Sequence, residues 1–345
     1  MLQEFDRLPE GLLDCDSRQL AEQLGMPTLI HLSGAREPAL FVSVLMHGNE
    51  TVGWDAMREL LRDRLTRFGE LRLPRSLSLF IGNVTAAACG VRHLPGQPDY
   101  NRVWPGSDLE PCIEQELMAR VTEIMRQRGI FASLDLHNNT GINPHYACVN
   151  RVENPFLRLA MLFGRTLVYF TRPTGVQSIA MAELCPAVTV ECGKVGDRQG
   201  IEHARRFVDA ALHLTELPDH PVKPQDIDLF HTVARVKVPE TVRFGFSPAD
   251  ADLLLDPELE RFNFRELPRG TPFARLRNGE VRGFEVRDTE GADVGERYFR
   301  IEDGEIRLRR PMMPSMLTLD ETVIRQDCLC YLMERYAGGL PKLSR

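Results

Sequence analysis

Two apolar segments of the chain each end on a histidine that can bind a metal ion. Residues 41–47 end on His47, and Glu50 follows three positions later; residues 133–137 end on His137. Two imidazoles and one carboxylate are a ligand set of hydrolytic zinc sites, which keep a fourth coordination position open. In open α/β sheets, ligands bind beyond the carboxyl ends of the strands. We therefore predict that His47, Glu50 and His137 bind one zinc ion, and that the protein is a zinc hydrolase.

A third apolar segment, residues 187–191, ends on Glu191. Zinc lowers the pKa of a water molecule that it binds towards ~7. A carboxylate within hydrogen-bonding reach can take up the proton and pass it to the leaving amine. Glu183 is a weaker candidate because it precedes the predicted strand. The position of Glu191 therefore predicts that it is the catalytic base.

Asp135 lies two positions before His137, so the two side chains share one face of a predicted strand. A zinc-bound imidazole usually donates its outer N–H group to a carboxylate or a carbonyl group. An unpaired carboxylate inside an apolar strand would be costly. We therefore predict that Asp135 is an outer partner of a zinc ligand. We expect that ligand to be His47, across the sheet, rather than His137, the neighbour of Asp135 on the same strand.

The order of these residues resembles that of a known family. The motifs, in order, are His47-Gly-Asn-Glu50, Asn101-Arg102, Asp135-Leu-His137-Asn and Glu191. Over roughly residues 28–215 they resemble the succinylglutamate desuccinylase/aspartoacylase family, which belongs to the zinc carboxypeptidase superfamily. The resemblance implies an α/β fold, a three-layer α/β/α zinc-carboxypeptidase-like sandwich with a smaller β-rich C-terminal domain. It also implies hydrolysis of the amide bond of a small N-acyl amino acid, of the desuccinylase or deacetylase type.

The resemblance assigns substrate binding to Arg92, Asn101 and Arg102. In the family, such residues meet the substrate carboxylate and polarise the scissile carbonyl group. The planar guanidinium group suits this task because it can grip a carboxylate through two parallel hydrogen bonds. The resemblance also supports Glu191 as the catalytic residue, and it implies a small anionic N-acyl amino acid as the substrate.

The chain departs from the family pattern at two places. Asn83-Val84 stands where the family often has Asn-Pro, so the turn there can differ. Residues 311–320, where aspartoacylase-type enzymes provide a pocket tyrosine, contain no Tyr. Either Tyr298 takes its place or the pocket accepts a different acyl group. The sequence therefore specifies neither the acyl group nor the amino acid.

Two other functions remain open at this stage. The chain could be a zinc carboxypeptidase that trims a peptide C-terminus, or a non-catalytic binding protein that keeps the fold. A complete set of three ligands together with Glu191 speaks against the second, because a binding protein has no need of the full set.

Composition excludes several other classes of protein. The net charge of −7 argues against a nucleic-acid-binding surface. Only four of the 42 basic residues are Lys. This excess of Arg is typical of a GC-rich genome and does not indicate phosphate binding. No apolar run is long enough to span a membrane, and the N-terminus does not resemble a signal peptide. Eight cysteines without a Cys-x-x-Cys pair predict reduced thiols in a cytoplasmic protein. Self-association into a homo-oligomer is left open.

Hydrophobic periodicity predicts two domains, a zinc hydrolase catalytic domain at residues 1–222 and a β-rich domain at 223–345. The first alternates strands with helices, which is typical of a parallel or mixed sheet with helices on both faces. Its predicted strands are 28–32, 40–46, 76–81, 131–136, 166–170 and 187–191, and its predicted helices are 51–65, 110–128, 155–164 and 199–217. The second has predicted strands at 232–238, 241–246, 281–286, 298–301 and 305–308, and room for one short helix within 250–266.

Overall fold

The computed structural model describes residues 1–247, 251–277 and 283–341. Within them the chain forms two compact units. Of the described residues, unit 1 comprises Met1–Asn138, His145–Leu229 and 338–341, and unit 2 comprises Asn139–Pro144 and those from Phe230 to Ala337. The assignment of catalysis to residues 1–222 stays a prediction, because compactness by itself assigns no activity.

Unit 1 is built on a mixed β-sheet whose strands lie in the order β1-β2-β4-β3-β5-β8-β6-β7. Neighbours β3 and β5 are parallel, whereas β6 and β8 are antiparallel. This confirms the prediction of a mixed sheet. The strands of unit 1 are β1 Gln3–Phe5, β2 Thr28–Leu32, β3 Ala39–Val44, β4 Leu77–Ile81, β5 Ile130–Asn139, β6 Tyr146–Val149, β7 Thr166–Tyr169 and β8 Ala187–Lys194.

Seven helices accompany this sheet. They are α1 Leu20–Leu24, α2 Val52–Phe68, α3 Val84–Cys89, α4 Ile113–Arg128, α5 Asn154–Met161, α6 Gln177–Met181 and α7 Arg198–His213. Helix α4 ends at Arg128, and the next residue, Gly129, has a positive φ of 66°, which glycine adopts readily. Helix α2 packs against α7 and β3. The predicted helices are all present, and their ends differ by a few residues.

The central strands of unit 1 are buried along their whole length. Every residue of β2, β3 and β4 is buried, which agrees with their nearly unbroken apolar sequences. Strand β5 is different because its second half carries polar side chains that are also buried. Burial of polar groups requires partners for them, and those partners form the candidate site.

Unit 2 is mainly β-structure, as predicted. One set of strands lies in the order β13-β9-β17-β16, and a five-stranded sheet has the order β10-β11-β12-β15-β14. The elements are β9 Asp228–Lys237, β10 Phe244–Gly245, β11 Leu253–Leu255, β12 Pro272–Leu276, β13 Glu285–Asp288, α8 Gly295–Tyr298, β14 Phe299–Glu302, β15 Glu305–Leu308, β16 Met313–Ser315, α9 Glu321–Gln326 and β17 Cys330–Arg335.

Among its described residues, the region 250–266 holds strand β11 and one short 3₁₀ helix at Leu259–Phe262, for which the sequence left room. Leu253, Leu255 and Leu259 are buried in the core of unit 2. Residue 250 lies outside the described residues, as do residues 281 and 282 of a predicted strand. All eight cysteines are free thiols, and five of them are buried. Among the described residues, no helix is both long and apolar enough to cross a membrane.

Candidate metal centre and active site

His47 and Glu50 lie in the short loop between β3 and α2. The chain leaves β3 through Leu45, whose φ of 57° is unusual for a residue with a side chain and costs roughly 1–3 kcal/mol. This turn is held by the backbone of Asn83, whose N–H donates to the Leu45 carbonyl group at 2.7 Å. Gly48 follows His47, and a Cβ there would lie 2.3 Å from the backbone of Ala86. The glycine is therefore required by the close approach of α3.

His137 approaches the same point from β5. Ser133, Asp135 and His137 alternate along this strand, so their side chains share one face of the sheet. The following residue, Asn138, accepts a hydrogen bond from the N–H of Val52 at the start of α2 through its Oδ1 atom, at 3.1 Å. Strand β5 thus also holds the helix that directly follows Glu50.

The ligand atoms of His47, Glu50 and His137 all lie within 4.8 Å of one another. The Nδ1 atom of His47 lies 2.8 Å from Oε1 of Glu50, and the Nδ1 atom of His137 lies 2.6 Å from Oε2 of the same carboxylate. The two rings are 5.0 Å apart between centroids, at an interplanar angle of 61°. The structure therefore brings together the three residues predicted as metal ligands, and each imidazole turns its Nδ1 atom to the shared carboxylate.

The charges in this cluster are strongly coupled. Burial by itself would raise the pKa of Glu50, but the neighbouring His47 and His137 hold it below its ordinary value. Burial would lower the pKa of His137, but the charges of Asp135 and Glu50 raise it well above its ordinary value. In the metal-free protein, the neighbouring carboxylates therefore favour the protonated form of His137.

Each imidazole has a second carboxylate at its outer nitrogen. Asp135 Oδ2 lies 2.8 Å from Nε2 of His137, and not beside His47 as expected from the sequence. That expectation was wrong because residues two apart on a strand have adjacent side chains on the same face. The outer nitrogen of His47 instead lies 3.0 Å from Oδ1 of Asp99. Sequence reasoning did not single out Asp99, although it lies two positions before Asn101.

Glu191 lies within β8, which continues to Lys194 beyond the predicted end of the strand. In the antiparallel pair of β6 and β8, Glu191 is directly opposite Tyr146. Its side chain is buried, and its Oε2 atom has no hydrogen-bond partner in the structure. Burial raises the pKa of Glu191 to about 8; the nearby His137 lowers it, while Glu50 and Asp135 raise it further. A buried carboxyl group with an unused oxygen atom is typical of a functional site.

Arg92, Asn101 and Arg102 lie in the loop between α3 and α4. Arg92 is buried and donates to Oδ2 of Asp99 through Nε at 3.1 Å and Nη2 at 2.8 Å. Arg92 is therefore held inside the protein rather than at its surface. Arg102 is half-buried and donates from Nη1 to the carbonyl group of Asn101 at 2.8 Å.

Asn101 lies against the metal cluster itself. Its Nδ2 atom lies 3.2 Å from Nε2 of His137 and 3.4 Å from Oδ2 of Asp135. Its Oδ1 atom accepts a hydrogen bond from the backbone N–H of Gln177, the first residue of α6, at 2.9 Å. The Gln177 side chain in turn donates to Ser133 at 2.7 Å. No sequence motif indicated Gln177 or Ser133, because their contacts depend on how α6 lies over β5.

Tyr298 is fully buried in the hydrophobic core of unit 2. Its neighbours there include the apolar side chains of Phe299 and Ile306. The tyrosine that could have replaced the missing family tyrosine therefore has a packing role within its own unit.

The donor set fits a divalent cation. Two imidazole nitrogens and a carboxylate face one another and form a set that zinc prefers. Three further buried or nearly buried carboxyl groups lie around this set, from Asp99, Asp135 and Glu191, with Arg92 as a buried cation among them. The unused oxygen of Glu191 adds a polar atom that still lacks a partner. Negative charge in excess of the fixed positive charge is what a bound metal ion would offset.

These features define a mixed α/β protein with a zinc-carboxypeptidase-like fold and a buried His-Glu-His cluster. Comparison with family models identifies residues 36–216 as the succinylglutamate desuccinylase/aspartoacylase catalytic domain. That match covers more than half of the chain. The chain belongs to this family, as the motif order predicted.

Individual relatives agree with this assignment. The chain is similar to succinylglutamate desuccinylase of Yersinia enterocolitica, with 26% identity over 263 residues that cover 69% of this chain and 74% of the relative. Among solved structures, murine aminoacylase 3 has a TM-score of 0.58 at 18% identity, covering 90% of this chain and 100% of that one. Succinylglutamate desuccinylase of Chromobacterium violaceum has a TM-score of 0.53 at 18% identity, covering 86% and 84%. At such identities the structural likeness shows the fold alone.

Proposed function

We propose that the protein is a zinc-dependent amidohydrolase that cleaves the amide bond of a small anionic N-acyl amino acid. The observation that carries this proposal is the buried Glu191 carboxyl group, with an oxygen atom that lacks a partner, beside a cluster of the three ligand residues. Membership of the family supports amide hydrolysis.

Each residue has a distinct task in this reaction. His47 and His137, through Nδ1, and Glu50, through its carboxylate, would hold the zinc ion. Bound there, zinc would polarise the scissile carbonyl group and make a water molecule more acidic. Glu191 takes a proton from the attacking water and delivers it to the leaving amine, which needs a carboxyl group whose pKa lies near the working pH. Burial moves the pKa of Glu191 upward from its ordinary value, towards that range.

The preference for an anionic substrate rests on Arg102. Arg92 donates two N–H groups to Asp99, and Arg102 lies half-buried in the same loop, where its Nη1 donates to the carbonyl group of Asn101. A guanidinium group in this position can grip a substrate carboxylate through two parallel hydrogen bonds. A site built for a polar partner rejects analogues that lack it more strongly than an apolar pocket rejects a missing methylene group.

A hydrolysis screen tests the proposal. Untagged protein is stripped of metal and reloaded with zinc. It is then incubated with a panel of compounds that includes N-succinylglutamate, N-acetylaspartate and dipeptides with a free C-terminus, and the release of amine is measured. We expect hydrolysis of N-acyl amino acids that is lost on chelation and restored by zinc. Hydrolysis of the dipeptides alone would favour the carboxypeptidase, and no hydrolysis of any member would contradict the proposal.

The Glu191→Gln variant tests the role of the base separately. Loss of a general base typically lowers kcat by ~10²–10⁴-fold, while the zinc ligands are unchanged, so zinc content should stay at that of the wild type. Glu183→Gln is the matched control, because Glu183 is an exposed carboxylate that pairs with Arg151. A Glu191→Gln variant with at least half of the wild-type rate would assign the base to another residue.

A further inference from the structure

Four consecutive buried residues, 175–178, lie against the loop that carries Asn101 and Arg102. We call these four residues the support segment; it ends in the first turn of α6. The backbone N–H of Gln177 donates to Oδ1 of Asn101 at 2.9 Å. A Cβ at Gly175 would lie 2.2 Å from the carbonyl oxygen of Arg102. The support segment therefore contacts both members of the predicted substrate-binding pair.

The backbone that follows Arg102 is held at several atoms. The N–H of Trp104 donates to the carbonyl group of Gly175 at 3.0 Å. The Trp104 ring is fully buried and packs edge-on against Phe80 of β4, with 5.9 Å between the ring centroids. The hydroxyl group of Ser107 donates to the carbonyl group of Arg102 at 2.7 Å. The position of the Arg102 backbone is therefore fixed by its own loop and by the support segment together.

The support segment is also joined to the two strands that carry the other residues of the candidate site. The side chain of Gln177 donates to Oγ of Ser133 at 2.7 Å, on β5. The hydroxyl group of Thr189 donates to Oγ of Ser178 at 2.9 Å, on β8 and two positions before Glu191. All four side chains that make these bonds are buried. One short segment thus links the loop of Arg102 to the strand of a predicted metal ligand and to the strand of the predicted base.

Gly175 is the position at which this contact is tightest. Its φ of 69° lies in the left-handed region that glycine adopts readily. A Cβ there would lie 2.2 Å from the carbonyl oxygen of Arg102 and 3.0 Å from Cα of Ser107. Both neighbours are backbone atoms, which cannot rotate away as the end of a side chain can. Any side chain at Gly175 must therefore push the loop of Arg102 away from the support segment.

We propose that the support segment positions Arg102 relative to the metal cluster and Glu191, and that Gly175 is the positioning residue on which this spacing depends. The proposal rests on the proposed function, in which Arg102 binds the substrate carboxylate. A guanidinium group grips a carboxylate through two parallel hydrogen bonds only in a narrow geometry. A displacement of ~1 Å, caused by a residue that does not touch the reacting atoms, can lower the rate ~10²-fold.

The variant Gly175→Ala tests this role through the preference for a substrate carboxylate. The value of kcat/KM is measured for the N-acyl amino acid that the wild type hydrolyses fastest and for its carboxamide. We expect the ratio of the two values to fall ~10–100-fold, mainly through a higher KM for the acid. Zinc content should stay at that of the wild type, because no metal ligand is moved. A ratio within about twofold of the wild type would overturn the proposal.

Gly69→Ala is the matched control. Gly69 follows the last residue of α2 and has nearly the same φ, 71°, but no atom lies within 4 Å of the position that a Cβ would take. The control therefore carries a similar backbone strain without a clash, and it should keep the wild-type ratio. An equal fall of the ratio in both variants would show that strain alone causes it, and would overturn the role of Gly175.

Amide hydrogen exchange supplies a measurement that needs no substrate. Because the N–H of Trp104 donates to Gly175, the peptide that covers residues 102–107 should exchange faster in Gly175→Ala than in the wild type or in Gly69→Ala. Unchanged exchange in this peptide would show that the loop does not depend on Gly175, and would overturn the proposal.

Variants at Thr189 cover the case in which Gly175→Ala does not fold. Thr189→Val keeps the shape of the side chain and removes its hydrogen bond to Ser178, whereas Thr189→Ser keeps the hydroxyl group. The ratio should fall in Thr189→Val and recover in Thr189→Ser; wild-type ratios in both would overturn the proposal. A wild type that hydrolyses no N-acyl amino acid would overturn the proposed function and, with it, the role of Gly175. Normal hydrolysis by the wild type, with an unchanged ratio in the variants, would overturn only the present proposal.

Discussion

Replacing Glu191 by Gln should stabilise the metal-free protein, and more so at pH 8 than at pH 5. Burial raises the pKa of Glu191 to about 8, whereas Glu in an unfolded chain has a pKa of ~4.3. Between these values the folded state holds a proton that the unfolded state has lost. The stability contribution of this group is therefore fully present below pH ~4.3 and is lost as the pH rises through about 8.

The size of the effect follows from the difference between the two pKa values. A shift of about 4 units corresponds to ~5 kcal/mol in the free energy of unfolding, at ~1.4 kcal/mol per unit. Most of this stabilisation, ~4 kcal/mol, is already lost at pH 7, because pH 7 lies well above the pKa of Glu in the unfolded chain. Gln resembles the protonated carboxyl group in shape and stays neutral, so the variant avoids this loss.

Denaturant unfolding in the presence of a chelator, at several pH values from 5 to 8, measures the effect. The stability difference between Glu191→Gln and the wild type should grow steadily over this range. Glu183→Gln, at an exposed carboxylate paired with Arg151, should show no such growth. A constant difference between Glu191→Gln and the wild type from pH 5 to pH 8 would refute the reasoning, because it would mean that Glu191 is ionised throughout.

Three further outcomes test the site. Gly48→Ala places a Cβ 2.3 Å from the backbone of Ala86, so it should destabilise the protein by ~1–3 kcal/mol and lower zinc content. Gly164→Ala is the control, because no atom lies within 4 Å of the position that its Cβ would take. Equal stability and equal zinc content in the two variants would contradict the predicted clash at Gly48. His137→Ala should lose zinc and activity together, and stoichiometric zinc at wild-type affinity would remove His137 from the ligand set. Arg102→Lys should raise KM more than it lowers kcat. The wild type should hydrolyse an N-acyl amino acid with a higher kcat/KM than its carboxamide. Equal kcat/KM values for these two substrates would mean that no carboxylate is recognised.

Most of the regular elements could be predicted from the sequence because their patterns are local. Strands 28–32 and 305–308 have the predicted bounds, and the four predicted helices of unit 1 are present. The short helices α3 and α6 and the strand β6 were missed, since elements of four to six residues carry too little periodicity. Strands β5 and β8 extend beyond their predicted ends, to Asn139 and Lys194, into residues that lie outside the apolar pattern.

The candidate metal ligands were also accessible from the sequence. His47, Glu50 and His137 each lie at or beside the end of an apolar segment, and such ends meet at one edge of an α/β sheet. The same reasoning indicated Glu191. Residue type and position along a strand are sufficient for this inference, because both are properties of a short stretch of chain.

Only the tertiary structure decided which carboxylate serves which imidazole. Asp135 contacts its strand neighbour His137, and Asp99 contacts His47 from a loop that no periodic pattern describes. The burial of Arg92 against Asp99 and the use of both ends of the Asn101 amide likewise depend on how this loop packs over β5. Hydrogen bonds of this kind need distances of ~3 Å between atoms that are far apart in the chain, and those distances are set by the packing of the whole unit rather than by any local spacing of residues.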